Sequence, residues 1–436
     1  MLIKKIYNFL KKKIFDIFGI EYQKVDLTRL VQPIFAENEI SIRQLSKKNH
    51  KQLHKYLKSH SGISKSYIEK LLFILKIMST SKKKTNFLIN ELINLTNSIS
   101  AISLPPKRWL SIYELCFNYG LFDLTLVLRQ KAILSAFAEA KLEPLSKFKI
   151  KLAFKAAIDQ GEFLIAKKYL SKLKKLEIKP KLLNDYIKYF YIQNGNYNSD
   201  EFRKNISFVK DIRIDKSFLN LINGKSVAVV GPAPSSELIG SEIDSYDIVV
   251  RTNYQGQNKL GDPKEFGVRT DISYYNGFDS LNIHKNKNFV FFTDLKASAF
   301  KSIYYPFQKN LLNSGYAHKI IQPKLLFNGF PLQGVNIIYD LLHYTPSKIK
   351  IFKNNLFLSK ISYYKKYRES HLDNLGNINN SINERLSSFT THDLISQFNF
   401  LKYLKNSSDI EFDVSLKRTI EMDLKIYLTK LKQIYV

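Results

Sequence analysis

Disulfide chemistry is the first thing this sequence lacks. Its 436 residues include one cysteine, Cys116, so no intramolecular disulfide framework is available and the chain fits a reducing compartment. Cys116 lies within an apolar helical pattern with no cluster of His or Cys beside it, and it reads as a core residue. Long hydrophobic runs are missing as well. Nothing approaches the roughly eighteen uninterrupted apolar residues that span a bilayer. Acidic residues are scarce, with 38 Asp and Glu against 68 Lys and Arg, which leaves a formal net charge of +30. Such an excess attracts polyanions, whether membrane, nucleic acid or acidic glycan. The positive charge is spread along the chain and no aromatic RNA-reading motif, zinc finger or basic zipper accompanies it, which argues against a nucleic-acid partner.

What is present is an ordinary globular composition, 44% hydrophobic and 24% charged, on a chain long enough for two domains. Residues 1–24 begin MLIKKIYNFLKKKIFDIFGI. Ile3, Ile6, Leu10, Ile14 and Ile17 share a helical face while Lys4, Lys5 and Lys12 point away. This is the pattern of a helix lying in an anionic membrane interface, or of one docking its apolar stripe on the protein body. No small-residue cleavage site follows, so a secretory signal is not expected.

From residue 25 to 217 apolar residues recur at three- and four-residue spacing, which predicts an all-α domain. His50 and His54 stand four apart, but with Lys51 and Lys55 interleaved they read as a solvated face. Ser81–Thr85 and Pro105–Trp109 mark interhelical breaks. Gly120 with Phe122, Gly161 with Phe163 and Gly195 with Tyr197 each sit at the bend of a helix hairpin, 41 and 34 residues apart. That spacing suits tetratricopeptide-like hairpins, which commonly bind a protein partner; a plain helical bundle is the alternative.

After residue 218 the character changes to alternating strands and helices. Strands are expected at Ser226–Val230, Asp247–Arg251, Asp271–Tyr275, Phe289–Thr293, Lys319–Gln322, Lys348–Phe352 and Ile410–Phe412, with a last helix at Val414–Tyr435. The pattern predicts an α/β domain of the doubly wound, Rossmann-like kind over residues 218–436. The first strand ends in Gly231 and small residues, as a central parallel strand does where a ligand must approach the backbone.

The motifs also carry a resemblance. GPAPS at Gly231–Ser235, YDIVVRTN ending at Asn253, FPLQGVNIIYDLL from Phe330 and THDLISQFNFLKYL from Thr391 together resemble, in order, the motifs of bacterial sialyltransferases and the related CMP-Kdo transferases. The resemblance covers roughly residues 220–415 and implies a sialyltransferase-type variant of the GT-A fold. It implies a CMP-activated sugar donor and a glycan or glycolipid acceptor, while the basic charge and the amphipathic N-terminus add the expectation of attachment to the anionic inner-membrane surface from the cytoplasm. Nucleotide-contacting positions carried over are Gly231, Ser235, Arg251, Asn253, Asn276, Gln333, Gly334 and Tyr364, with Tyr363 beside the last. His392 takes the general-base position, and Asp393 either orients it or favours its own helix start through the dipole. The turn after Gly231 is expected to offer backbone N–H groups, with a helix beginning near Ser235 or Ser236 adding its positive end. Arg251 is a phosphate or carboxylate partner, or a salt bridge at a strand end.

Many nucleotide-diphosphate-sugar transferases hold a divalent ion with an Asp-x-Asp pair, and this chain has none. The resemblance likewise implies metal independence and no cofactor beyond the donor. Three departures bear on the donor sugar. Pro232 replaces an expected Asn, Leu332 and Gln333 replace hydroxyl residues, and Lys353, Asn354, Asn355 stand where the family often has Gly-Asp. They leave open a second reading, a non-enzymatic helical scaffold with a degenerate nucleotide-binding domain. A Rossmann NAD enzyme is disfavoured, because the second strand ends in Arg251 and Asn253 rather than an acidic ribose ligand.

Overall fold

The computed structural model describes residues 63–80, 86–196 apart from 143, 145 and 177, 215–275, 295–300, 316–361 apart from 324, and 391–436. Between 362 and 390 it describes only 363, 364, 367, 386 and 389. The N-terminal segment, His50, His54, the break at Ser81–Thr85, Tyr197, Asn276 and the expected strand at Phe289–Thr293 therefore lie outside the described residues. No helix among the described residues is long and apolar enough to cross a membrane.

The helical part begins with α1 (Ile63–Thr80) and α2 (Asn86–Ser98), then α3 (Pro106–Asn118), α4 (Phe122–Glu139), α5 (Lys147–Asp159), α6 (Phe163–Lys175) and α7 (Pro180–Gln193). The three bend glycines all take left-handed backbone, with φ of 68° at Gly120, 74° at Gly161 and 72° at Gly195. Each closes its helix in the same way. Gly120 N donates to Phe117 O and Leu121 N to Cys116 O, and the Gly161 and Gly195 turns repeat both bonds. These are Schellman caps, which require a residue without Cβ strain at the αL position. Phe122 is fully buried behind the first turn.

A short helix α8 (Lys216–Ile222), capped by Asp215, leads into β1 (Ser226–Val230). There follow α9 (Gly240–Asp244), β2 (Ile248–Thr252), α10 (Pro263–Phe266), β3 (Ile272–Tyr275), β4 (Ala297–Phe300), β5 (Tyr316–Lys319), α11 (Gln333–Leu341) and β6 (Lys348–Phe352). The chain ends with α12 (Leu394–Leu404), β7 (Ile410–Phe412), α13 (Val414–Glu421) and α14 (Leu424–Tyr435). The seven strands are parallel in the order β5-β4-β3-β2-β1-β6-β7. The chain therefore winds outward from β1 to β5 and returns to the other side of β1 at β6. That reversal opens a crevice at the carboxyl ends of β1 and β6, the place where open α/β sheets bind ligands.

Strand residues alternate between two cores, as the pleat dictates. Val227 and Val229 join the large core that also contains Trp109, Phe117, Tyr274 and Phe398, so the helical hairpins and one face of the sheet share a single apolar interior. Ala228 and Val230 face the opposite side with Ile243, Val249 and Phe352. Three sequence expectations are corrected. The fifth strand is Tyr316–Lys319 rather than Lys319–Gln322. Ala297–Phe300 forms a strand that composition alone does not suggest, because complete burial between neighbours outweighs the weak β-propensity of Ala and Ser. The final helix is two, since Asp423 caps the second by accepting from Lys425 N at 2.7 Å.

One buried polar cluster fastens the hairpins to α12. Arg129 on α4, 2% exposed, donates from Nε and Nη2 to Asp159 at 3.1 and 2.7 Å and from Nη1 to Asp393 at 2.7 Å. Tyr113 Oη donates to the other Asp393 oxygen at 2.8 Å, and Asn399 Nδ2 donates to Asp159 O at 2.9 Å. Burial raises the Asp159 carboxyl while the Arg129 guanidinium pulls it back down. Replacing Arg129 with Met leaves two carboxylates facing each other without a cation. It is expected to destabilise the fold by about 3–5 kcal/mol in urea unfolding.

His318 on β5, buried and stacked on Phe218, lies 2.9 Å from Asp340 on α11 and 3.2 Å from Asp215. Burial depresses the charged ring, but the two carboxylates outweigh it and the imidazole is raised above its ordinary value. A raised folded value gives stability that is complete below pH 6.5 and lost as pH climbs through the folded value. The stability difference between wild type and His318→Gln should therefore shrink as pH rises above about 6.5, measured as urea midpoints across a pH series.

Candidate functional site

The ends of β1 and β6 meet at Gly231. A Cβ there would stand 2.5 Å from Lys353 O, so any other residue would push the two strand ends apart. Gly231 N donates to Phe352 O at 2.8 Å and Ala233 N to Lys353 O at 3.0 Å. These bonds correct one expectation: both N–H groups are spent on the neighbouring strand, and Pro232 between them has none. A second is corrected beside it. The chain from 231 to 239 is irregular and the helix begins at Gly240, not near Ser235. Ser235 Oγ accepts from Lys353 Nζ at 2.9 Å and from Glu237 N at 3.2 Å, and Ser235 is not among the residues lining the cavity.

That cavity, of about 320 Å³, opens at the carboxyl edge of the sheet over the β1/β6 reversal. It brings together six residues singled out from sequence: Gly231, Asn253, Gln333, Gly334, Tyr363 and His392. Thr252, Lys353, Asn354, Asn355 and Tyr367 complete the polar lining. Tyr367 ties the edge of β2 to the loop above it, its hydroxyl 2.7 Å from Thr252 Oγ1 and accepting from Asn253 Nδ2 at 3.2 Å. Its ring stacks on Tyr363 at 5.1 Å.

Arg251 and Tyr364 line a narrow recess that runs off the same strand ends, with Gly231, Thr252, Asn253 and Tyr367 common to both spaces. At about 10 Å³ the recess admits little more than one water-sized group. Arg251 is 4% exposed. Its Nε donates to Arg269 O and Thr270 Oγ1 at 3.0 Å each, and its Nη2 to Phe266 O at 2.5 Å. No carboxylate pairs with it among the described residues, which corrects the salt-bridge alternative. Burial lowers its ionisation to about 10. Tyr364, whose backbone N–H donates to Pro232 O at 2.9 Å, packs its ring 4.6 Å from Phe266 and is pushed up to about 12 by burial.

His392 is held by the loop before α11. Its Nδ1 lies 3.1 Å from Phe330 O. A carbonyl only accepts, so Nδ1 carries the proton and Nε2 is the basic nitrogen. Asp393 does not orient this ring: its carboxylate accepts from Arg129, Tyr113 and Ser396 N, which fastens it into the helical layer. The group that organises the loop is Gln397, fully buried, whose Oε1 accepts from Leu332 N at 3.0 Å and whose Nε2 donates to Phe330 O at 3.1 Å. Its signal in the sequence was a polar residue on an otherwise apolar helical stripe.

The loop delivers the start of α11 into the cavity. Leu332 supplies no side-chain cap, and the first intrahelical bond is Asn336 N to Leu332 O. The opening N–H groups of α11 therefore have no intrahelical acceptor, and its positive end meets the cavity wall at Gln333 and Gly334. Both polar atoms of the Gln333 amide are enclosed and without a hydrogen-bond partner. A Cβ on Gly334 would come 3.3 Å from Asn354 Nδ2, so this helix start lies tight against the β6 loop. The anion-binding role expected of the loop after β1 is thus open to α11 instead. Lys353 brings the nearest ammonium, anchored on Ser235 and on Glu237 O at 3.0 Å and lowered by burial.

Among the described residues no three His, Cys, Asp or Glu side chains gather as metal ligands would. Tyr367, Lys353 and Gln397 were not anticipated as site residues. Gly231→Ala is expected to cost about 1–3 kcal/mol of stability by overpacking and to collapse the cavity floor, read by urea unfolding and by loss of any nucleotide binding. Comparison with known proteins returned no match: no family model, no curated protein and no solved structure aligns with this chain.

Proposed function

We propose that this chain is a glycosyltransferase that moves an acidic ketosugar, sialic acid or Kdo, from a CMP donor to a bacterial surface polysaccharide or lipopolysaccharide. The observation that carries the reading is Arg251, a buried guanidinium with no carboxylate partner among the described residues, opening on a recess of the cleft. Its hydrogen bonds go to neutral oxygens and the Asp244 carboxylate attracts it through space without pairing; a desolvated cation so placed is costly, and such groups concentrate where an anionic ligand supplies the missing charge. A CMP-linked ketosugar carries two anionic groups, a phosphate and a carboxylate.

In this reading one anionic oxygen of the donor reaches Arg251, and the uncapped start of α11 faces the second group. Asn253, fixed by Tyr367, and the unpartnered amide of Gln333 hydrogen-bond the nucleoside. Nε2 of His392 takes the proton from the acceptor hydroxyl as its oxygen bonds to the sugar's anomeric carbon. The bond from that carbon to the phosphate oxygen breaks, and CMP leaves with the electron pair. Its developing charge is met by the α11 amides and by Lys353.

Calorimetry with CMP, against UDP, GDP and NAD as controls, tests the reading. Selective CMP binding is expected, weakened at least tenfold in Asn253→Ala and in Arg251→Lys, since the shorter lysine leaves the recess charge misplaced. With CMP-Neu5Ac or CMP-Kdo and an acceptor, His392→Ala should lower kcat by about 10²–10⁴ with CMP affinity intact. Absence of CMP binding removes the donor assignment. CMP binding without turnover, indifferent to His392, points to the scaffold reading.

A further inference from the structure

The helical hairpins present two rims of opposite character. The rim that carries the Gly120, Gly161 and Gly195 turns is docked on the rest of the fold: Asp123 pairs with Lys432 of α14 at 2.8 Å, Gly161 lies against the Tyr403 ring, and Gly195 lies against Asn406. The other rim gathers the start of α3, the end of α4, the start of α5 and the end of α6. Ser135 Oγ near the end of α4 donates to Leu104 O at 2.8 Å, and Lys107 Nζ sits 4.5 Å from the Phe148 ring centre. These contacts, with Phe137 of α4 stacked on Tyr169 of α6 at 6.0 Å, hold the separate segments together as one surface.

This second rim is cationic and studded with apolar side chains. Segments 101–108, 139–149 and 172–180 together hold nine Lys and Arg against three Asp and Glu. Lys107, Lys141, Lys147, Lys174 and Lys175 are exposed. Among them protrude Ile102 at 72% exposure, Leu142 at 56% and Phe148 at 51%. Lysines alone would serve any polyanion. Large apolar side chains standing out at the same level suit a surface with a hydrocarbon interior beneath its charge.

We propose that this rim docks on an anionic lipid bilayer, with the lysines at the headgroups and Ile102, Leu142 and Phe148 inserted between them. The proposal names a surface distinct from the N-terminal segment and does not rest on the transferase reading, because the residues of the rim line neither the cleft nor its recess.

The full-length chain is tested by flotation with vesicles of phosphatidylcholine alone and of phosphatidylcholine with phosphatidylglycerol. Changing Lys141, Lys147, Lys174 and Lys175 together to Glu should weaken binding to the anionic vesicles at least tenfold. Circular dichroism and CMP calorimetry report the integrity of the fold and the cleft in the same variant. Insertion is read separately with Phe148→Cys carrying an environment-sensitive fluorophore, since the native Cys116 is fully buried and resists labelling. A blue shift on anionic vesicles is expected. Unchanged vesicle binding in the lysine variant overturns the proposal. So does a position-148 probe that stays in water on bound vesicles, and the rim would then serve a soluble polyanion.

Discussion

The corner of the cleft that carries His392 leans on a single guanidinium. Arg129 sits between Asp159 and Asp393, which come from the neighbouring helix α5 and from the N-cap of the distant α12. Two carboxylates cannot share a dry interior without a cation between them, and the cation cannot be dry without both. Each group is therefore tolerable only when the helical layer and α12 are in register. Asp393 takes φ of 41°, an uncomfortable backbone for a residue with a Cβ, and this clamp holds it there. His392 is its immediate neighbour, so the placement of the imidazole at the cavity wall is inherited from charges buried in another layer.

Left-handed non-glycine residues gather on the same side with one exception. Asn253, Lys353, Leu356, Phe357 and Asp393 have positive φ, and Asn253, Lys353 and Phe357 line the cavity, whereas Thr345 lies before β6 against Asn223 and Gly224. Strained backbone costs free energy that a purely structural loop would shed, and it persists where the surroundings over-determine it. Here three strand ends and the starts of two helices supply that constraint. The close approach of Gly329 to Asp393, with a hypothetical Cβ 2.8 Å from Asp393 Cβ, belongs to the same packing.

Much of this was legible beforehand, and the reasons differ by element. β1 and β6 could be read to the residue because SVAVV is a nearly continuous apolar run, KIKIF alternates Lys with Ile before its Phe, and both are bounded by Gly or by polar loop residues. The bend glycines were legible because αL backbone selects Gly almost alone. β4 was not, since three of the four residues of ASAF are Ala or Ser, which have little strand preference, and the strand is defined by its neighbours. At the site, residues on motif positions were found together in one cavity, whereas the direction of their bonds was not readable. Ser235 and Asp393 are polar residues in the expected places whose side chains serve Lys353 and Arg129. Tyr367 and Gln397 act through contacts more than a hundred and more than sixty residues away, and no local pattern announces such partners.

The clamp has a consequence for the order in which the molecule is made. Synthesis delivers Arg129 and Asp159 thirty residues apart, so this pair is free to close within the emerging hairpins as soon as α4 and α5 meet. Asp393 is 264 residues downstream of Arg129, and the β1–β6 pairing that forms the cleft floor joins Ser226 to Lys348. Such distant closures come late because the intervening chain must first be ordered. The nascent hairpins accordingly wait with one arginine hydrogen-bonding face unfilled, a socket that only the arrival of α12 can occupy.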